Sequence, residues 1–293
     1  MIQRRDIPIP AERESDAERR REFVFEHEDF LALRTLIKQV TGINLADTKQ
    51  ELVYGRISRR LRALGLRTFG EYREMLESDE HGELTEFCNA MTTNLTAFFR
   101  ESHHFDYLRD QVLKPRAADD RASRRIRIWS AACSSGEEAY CLAMTVCEAI
   151  PEFRRWDIKI LATDIDSEIL ATAKRGVYPA DRVQKLGDQR LRQFFEELGG
   201  PEQGSYRVSR QLASLITFKQ LNLLHPLPMK GPLDAIFCRN VIIYFDKETQ
   251  RQLFARVSLL QRANDVLFLG HSESLLKVCD DYELVGKTIY RRA

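Results

Sequence analysis

The sequence predicts an α/β fold: a doubly wound, mostly parallel sheet with an antiparallel edge hairpin and a small inserted β-subdomain, preceded by an all-helical N-terminal domain. Three observations predict it. Up to about residue 92 the apolar residues recur at helical spacing. From residue 126 onward short alternating runs are separated by helical segments, the rhythm of βαβ units. The chain then closes with two short runs around Gly286-Lys287, a hairpin signal. At 293 residues and 43% hydrophobic content there is material for two domains and a sizeable core.

Residues 1–26 mix Arg with Glu, carry Pro8 and Pro10, and hold few apolar side chains, which reads as a charged N-terminal arm. A helical domain spans 27–92. Its first helix places Phe30, Leu33, Ile37 and Val40 on one face and stops near Thr41-Gly42. The second, about 48–64, puts Leu52, Val53, Ile57, Leu61 and Leu64 on one face. At about 100° per residue Arg59 and Arg62 then point away, with Arg56 and Arg60 flanking. Lys plus Arg total 45 against 44 Asp plus Glu, so no global field favours nucleic acid or membrane, and this is the local basic patch the balance conceals. An ordinary solvated helix face has the same pattern. Short helices at 69–77 and 83–91 complete the domain.

Residues 93–125 read as a junction helix and linker. Asn94 or Thr96 is the expected N-cap of a helix through Phe105, Leu108 and Val112 that ends before Pro115. Residues 126–293 form the α/β domain, with strands expected at 126–131, 157–163, 215–221, 234–238, 266–269, 282–285 and 288–291. Helices are expected at 136–150, 167–174 and 247–261. The stretch 176–212 is too long for a plain connection and reads as the inserted subdomain, with a helix at 188–198, a Gly-rich turn at 199–204 and a strand at 205–208. The six cysteines contain no CxxC pair and sit among apolar residues, as reduced core thiols do, and no metal site is expected. No apolar run approaches the ~20 residues of a membrane span, and the first residues lack a signal peptide's apolar centre. The expected location is cytoplasmic.

The turn after the first strand, Ser130-Ala131-Ala132-Cys133-Ser134-Ser135-Gly136, opens a ligand site in folds of this kind. A dinucleotide would require Gly-x-Gly-x-x-Gly to bring backbone against a pyrophosphate, and only Gly136 is present. That disfavours a nucleotide-dependent oxidoreductase. S-adenosylmethionine, with a sulfonium in place of an anionic phosphate, meets the requirement. Asp164, ending the second strand, is placed for ribose hydroxyls, and Asp166 for capping the next helix. Asn222, Arg239 and Asn240 rim the same crevice. Glu137 and Glu138 also fit a capping box with Ser134 or Ser135, which needs no ligand.

The blocks Asn-Leu-Thr-Ala-Phe-Phe-Arg (94–100), Trp-Ser-Ala-Ala-Cys-Ser-Ser-Gly-Glu-Glu (129–138), Ala-Thr-Asp-Ile-Asp (162–166), Phe-Cys-Arg-Asn-Val-Ile-Ile-Tyr-Phe-Asp (237–246) and Gly-His-Ser-Glu (270–273) together closely resemble the CheR family of chemotaxis-receptor glutamate O-methyltransferases. The resemblance covers about residue 26 to the end. It implies a Rossmann-like methyltransferase sheet that uses S-adenosylmethionine, with S-adenosylhomocysteine as product, to form glutamyl methyl esters in sensory adaptation. It also implies the cofactor contacts Asn94, Thr96, Arg100, Glu137, Asp164, Asn222, Leu223, Arg239 and Asn240, with Arg100 the candidate partner of the methionine carboxylate. The Arg-rich second helix (Arg56, Arg59, Arg60, Arg62) resembles the surface that docks the acidic cytoplasmic bundle of a methyl-accepting receptor. In some members the β-subdomain holds a peptide at the receptor's C-terminus, and the turn at 199–204 is compatible with that.

A Glu carboxylate, reference pKa ~4.3, is already ionised at pH 7, so no general base is assigned. Arg100 and Tyr244 are candidates for orienting the reactants, and His271 reads as structural. The segment 94–100 must fold over the Gly136 turn from the helical side, so the site is expected where the two domains meet. The competing reading is a non-catalytic adaptor that senses S-adenosylmethionine and binds a signalling partner.

Overall fold

The structure, a computed structural model, describes residues 21–78, 82–119 and 121–293. Four helices, α1 (His27–Thr41), α2 (Gln50–Leu64), α3 (Phe69–Ser78) and α4 (Glu83–Met91), pack around Phe30, Ile37, Ile57, Tyr72 and Phe87. The helical stripes read from the sequence are buried at Phe30, Leu33, Ile37, Val53, Ile57 and Leu61, because each helix can remove only one face from water, while Val40 and Leu52 are half-buried and Leu64, at the end of α2, is exposed. Most of the charged arm lies outside the described residues, but its last residues are not a loose tail. Phe25 is buried with its ring 4.4 Å from that of Phe69, and the Glu26 N–H donates to Asp29 at 3.1 Å. One aromatic ring outweighs the charged composition around it.

α1 stops at Gly42, whose φ of 80° favours glycine. A Cβ there would lie 2.8 Å from Leu224 Cδ2 and 3.1 Å from the Phe245 ring, so the same glycine lets the helical layer touch the sheet layer.

No helix starts at Asn94 or Thr96. Phe99 and Glu101 have φ of 51° and 57°, which interrupts any helix, and Phe98 is drawn between the rings of Tyr178 and Phe195 at 5.0 and 5.8 Å. The helix begins at α5 (His103–Tyr107), passes through a π-helical stretch (Leu108–Leu113) and resumes as α6 (Lys114–Ala118). Pro115 therefore lies inside the helical run. It follows directly on the π-helical stretch, whose wider turn carries the Lys114 N–H to the Arg109 carbonyl just before the proline.

The sheet is built from β1 (Arg125–Ser130), α7 (Glu137–Ala149), β2 (Asp157–Asp164) and α8 (Ser167–Arg175). Next comes the insertion: β3 (Val177–Pro179), α9 (Ala180–Val183), α10 (Asp188–Phe194), β4 (Phe195–Glu197), β5 (Ser205–Val208) and α11 (Arg210–Ala213). The chain then returns as β6 (Ile216–Gln220), β7 (Ala235–Cys238), α12 (Lys247–Val257), β8 (Val266–Leu269), β9 (Tyr282–Gly286) and β10 (Ile289–Arg292). The main sheet has the order β6-β2-β1-β7-β8-β10-β9, parallel through β8, with β10 antiparallel to both its neighbours, β8 and β9. Every residue of β7 and β8 is buried, which is why they read as continuous apolar runs. Trp129, Ile236 and Leu267 face one core, while Ile128, Phe237 and Phe268 face the other. The chain reverses direction across the sheet at β1, with β2 on one side and β7 on the other, so a crevice opens at their carboxyl ends.

The insertion is a separate antiparallel sheet, β3-β5-β4. The helix expected over 188–198 ends at Phe194, because Phe195–Glu197 pairs with β5 and turns the Phe195 ring onto Phe98. All six cysteines are free, and burial raises the Cys88 thiol to about 11, keeping it protonated and unreactive. Among the described residues no helix is long and apolar enough to cross a membrane.

Candidate active site

A cavity of about 510 Å³ lies over the carboxyl ends of β1, β2 and β7. Its walls come from both layers: Thr41, Ile43, Lys49 and Arg56 on the helical side, Asp164, Leu223 and Arg239 on the sheet side, and residues 91–97 with Arg100 between them. The site is therefore assembled at the junction, as the folding-over of 94–100 requires.

The turn after β1 needs its glycine. Gly136 has φ 96°, and a Cβ on it would sit 2.9 Å from Ala173 Cβ on α8. Gly136 itself is the N-cap of α7, so neither capping box forms. The Ser135 hydroxyl instead donates to Glu137 Oε2 at 2.6 Å, and the fully buried Glu137 carboxylate pairs with Arg182 from α9. Glu137 consequently does not line the cavity, and Glu138 does. Neighbours on a helix point about 100° apart, so only one of the two can face inward. Glu138 is held by the Ser130 hydroxyl at 2.7 Å and by Arg239 at 2.9 Å, and burial raises its carboxyl above the ordinary range despite those partners.

Asp164 ends β2 at the cavity. Its Oδ2 accepts the Ser134 N–H at 2.8 Å and its Oδ1 the Asp166 N–H at 3.0 Å. Each oxygen keeps a further lone pair, so the carboxylate offers two acceptors side by side. Burial raises this carboxyl to about 6. Asp166 caps α8 as the sequence suggests, accepting the Glu168 and Ile169 N–H groups at 3.0 Å each. Its other oxygen takes the Thr92 hydroxyl at 2.6 Å and the Asn94 amide at 2.7 Å. The Asn94 amide is thus engaged at the domain junction, and Asn94, Thr96 and Arg100 all line the cavity, the Arg100 guanidinium donating to the Leu95 carbonyl at 2.9 Å.

Asn222 behaves similarly. Its amide donates to the Val40 carbonyl at 2.7 Å and its Oδ1 accepts the Leu224 N–H at 3.0 Å, which ties the end of β6 to α1. Leu223 is buried beside it in the wall. Arg239 is a buried strut between Glu138 and Glu101, the latter at 3.3 Å, and also donates to the Arg100 carbonyl. Asn240 (φ 57°) and Tyr244 line the cavity, and the Tyr244 carbonyl accepts the Asn44 N–H at 2.8 Å across the junction. His271 is exposed, sits 3.2 Å from Glu101 and does not reach the cavity.

Glu273 is the residue that sequence reasoning missed. Its buried carboxylate accepts the N–H groups of Asn240, Val241, Ile242 and Ile243 at 2.9 to 3.3 Å and that of Gly270 at 2.6 Å. It thereby fixes the wall that carries Asn240 and Tyr244. Its place in the Gly-His-Ser-Glu block was the sole signal. The basic helix also divides. Arg56 donates to the Met91 and Thr92 carbonyls at 2.6 and 2.7 Å, and Arg60 forks onto the buried Glu83 at 2.9 and 2.6 Å. These two brace the helical layer. Arg59 and Arg62 remain exposed, Arg62 beside Glu22 at 3.1 Å.

Comparison with known proteins places two family models on the chain: "CheR methyltransferase, all-alpha domain" over residues 28–92 and "CheR methyltransferase, SAM binding domain" over 94–291. The chain is 45% identical over 273 residues to Chemotaxis protein methyltransferase 2 of Pseudomonas aeruginosa, covering 93% of this chain and 95% of that one. It is 44% identical over 264 residues to the Chemotaxis protein methyltransferase of Escherichia coli, covering 89% of each.

Proposed function

The chain belongs to the CheR methyltransferase family, and from that premise we propose that it methylates glutamate side chains on the cytoplasmic domain of a chemotaxis-type receptor, as a protein-glutamate O-methyltransferase. The cofactor is S-adenosylmethionine. The observation that carries the reading is Asp164: a buried carboxylate with a spare acceptor on each oxygen, at a strand end, in a cavity with no glycine-rich phosphate cradle. That fits an adenosine ribose. A volume of about 510 Å³ suits a ligand of this size.

When bound, S-adenosylmethionine supplies an electrophilic methyl group, and a carboxylate acceptor becomes a methyl ester. In this reading Asp164 holds the ribose hydroxyls, and Arg100 takes the methionine carboxylate. Thr96 and Glu138 line the donor's cavity, while Leu223 gives it an apolar wall. Asn94, Asn222 and Arg239 are assigned to it through the backbone and walls they fix, and Glu137 through the first turn of α7. Asn240 and Tyr244 stand on the wall held by Glu273, where Tyr244 orients the acceptor carboxylate. No residue acts as a base, since the acceptor is already ionised. The chain's contribution is alignment and exclusion of water, and alignment alone is worth up to ~7 to 11 kcal/mol in favourable intramolecular models.

The direct test is transfer of a tritiated methyl group from S-adenosylmethionine to a receptor cytoplasmic fragment. Base-labile label on glutamate is expected. Cofactor binding with no transfer to any receptor would instead favour the adaptor reading.

Receptor docking is assigned to Arg59 and Arg62, the two exposed arginines of α2. Arg59→Glu with Arg62→Glu is expected to lower kcat/KM for the receptor by about tenfold, with cofactor affinity unchanged. A rate that does not fall returns these side chains to the solvated face. The three-stranded insertion is the assigned seat of a receptor C-terminal peptide, since β3 and β4 each leave one edge unpaired within that sheet, as strand addition requires.

A further inference from the structure

We propose that Arg182, a residue of the inserted subdomain, is a positioning residue for the S-adenosylmethionine cavity. This rests on the methyltransferase reading above. Arg182 sits on α9, outside the main sheet, yet a single guanidinium nitrogen serves two partners, one lining the cavity and one directly behind its wall. Nη2 pairs with Glu137 Oε1 and donates to the Thr96 carbonyl at 3.3 Å. Thr96 lines the cavity, and Glu137 is immediately followed by Glu138, which also lines it.

The energetic weight lies on Glu137. Its side chain is 0% exposed, against 42% for Arg182, and besides the guanidinium it has the Ser135 hydroxyl at 2.6 Å. A buried carboxylate stripped of its cation is strongly disfavoured and must protonate or move. Movement of Glu137 shifts the first turn of α7, hence Glu138 and the Arg239 strut it holds. Loss of the Thr96 contact frees the segment lying over the cavity. Two further contacts fasten the same pieces to the subdomain from outside. The Tyr178 hydroxyl donates to the Ser135 carbonyl at 2.6 Å, and Phe98 is clasped edge-on by Tyr178 and Phe195. The insertion therefore acts as a buttress of the donor site as well as an external appendage.

Arginine suits the role because the two N–H donors of Nη2 are fixed in the guanidinium plane, one for the carboxylate and one for the carbonyl, whereas a lysine ammonium is a rotatable point charge. Being partly exposed, it can be truncated without opening a hole in the core.

The test is calorimetric titration of the full chain with S-adenosylhomocysteine, together with steady-state kinetics using S-adenosylmethionine. Arg182→Ala is expected to raise Kd and the KM for the donor by about fivefold, with kcat at saturating donor unchanged. Arg182→Lys should be intermediate, at about threefold. In a Glu137→Gln background, where the buried charge is gone, Arg182→Ala should cost measurably less than it does in the wild type. Arg207→Ala is the control: Arg207 pairs with Glu202 at 3.1 Å on the subdomain surface, away from the cavity, and its loss should leave Kd at the wild-type value. Wild-type Kd in a folded Arg182→Ala protein, even with a lowered Tm, overturns the proposal. Should the alanine variant fail to fold, wild-type Kd in Arg182→Lys overturns it equally. Failure of the wild-type chain to bind either compound would instead bring down the methyltransferase reading, and this proposal with it.

Discussion

Replacing Asp164 with alanine is expected to weaken S-adenosylmethionine binding by about 100-fold, read by calorimetry. Hydrogen bonds to a charged acceptor contribute about 1.5 to 3 kcal/mol each, and two ribose hydroxyls would lose theirs. The substitution also strips the Ser134 and Asp166 N–H groups of their acceptor, so the turn loosens together with the contact. Wild-type protein should carry the same signature in its pH dependence. Burial raises the Asp164 carboxyl to about 6, so the acceptor form is lost as pH falls through 6, and affinity should drop about tenfold between pH 7 and pH 5. The effect on stability has the opposite sign. A carboxyl whose folded pKa lies above its unfolded value binds its proton first in the folded state. Its contribution to stability is therefore full below the unfolded pKa of about 3.9 and is lost as pH rises through 6. Asp164→Asn should abolish both dependences.

Glu273→Ala should cost about 4 kcal/mol of stability and lower the apparent Tm by about 10 °C in thermal denaturation. Five backbone N–H groups converge on this one buried carboxylate, and alanine would leave all of them without an acceptor. Glu273→Gln keeps one oxygen but turns an amide N–H₂ toward donors, so roughly half the loss should remain. Because Asn240 and Tyr244 ride on the same stretch, the surviving folded fraction should show raised KM values. Unchanged stability in the alanine variant would mean that solvent reaches these N–H groups, against the burial seen here.

How far the site could be read from sequence depended on whether the deciding contact was local. Periodicity is local, so the buried stripes of α1 and α2 and the strands β1, β2 and β8 follow from it within a residue or so. Strand ends are nearly local too: Asp164, Asn222, Arg239 and Asn240 were placed at the crevice because each follows an apolar run. The failures share one cause. Whether Glu137 or Glu138 faces the cavity is decided by Gly136 starting the helix and by Arg182, 45 residues away. Whether a helix-flanking arginine is free for docking depends on α4, which supplies Glu83 to Arg60 and the residue 91 and 92 carbonyls to Arg56. The missing helix at 94–100 was overruled by Phe98 packing into an insertion far along the chain. Glu273 had only its place in the Gly-His-Ser-Glu block to mark it, since by spacing alone a carboxylate that caps a distant turn looks like any other.

The junction has a consequence for how such proteins can be rebuilt. Asn222 to Val40, Gly42 against Leu224 and Phe245, and Thr92 to Asp166 all stitch one layer to the other, and each lies at or beside the cavity. A cut between residues 92 and 94 passes through the binding wall, not between two cassettes. Retargeting the chain by grafting a foreign helical half onto this sheet would therefore alter donor affinity along with receptor choice, unless the graft also carries those seam residues.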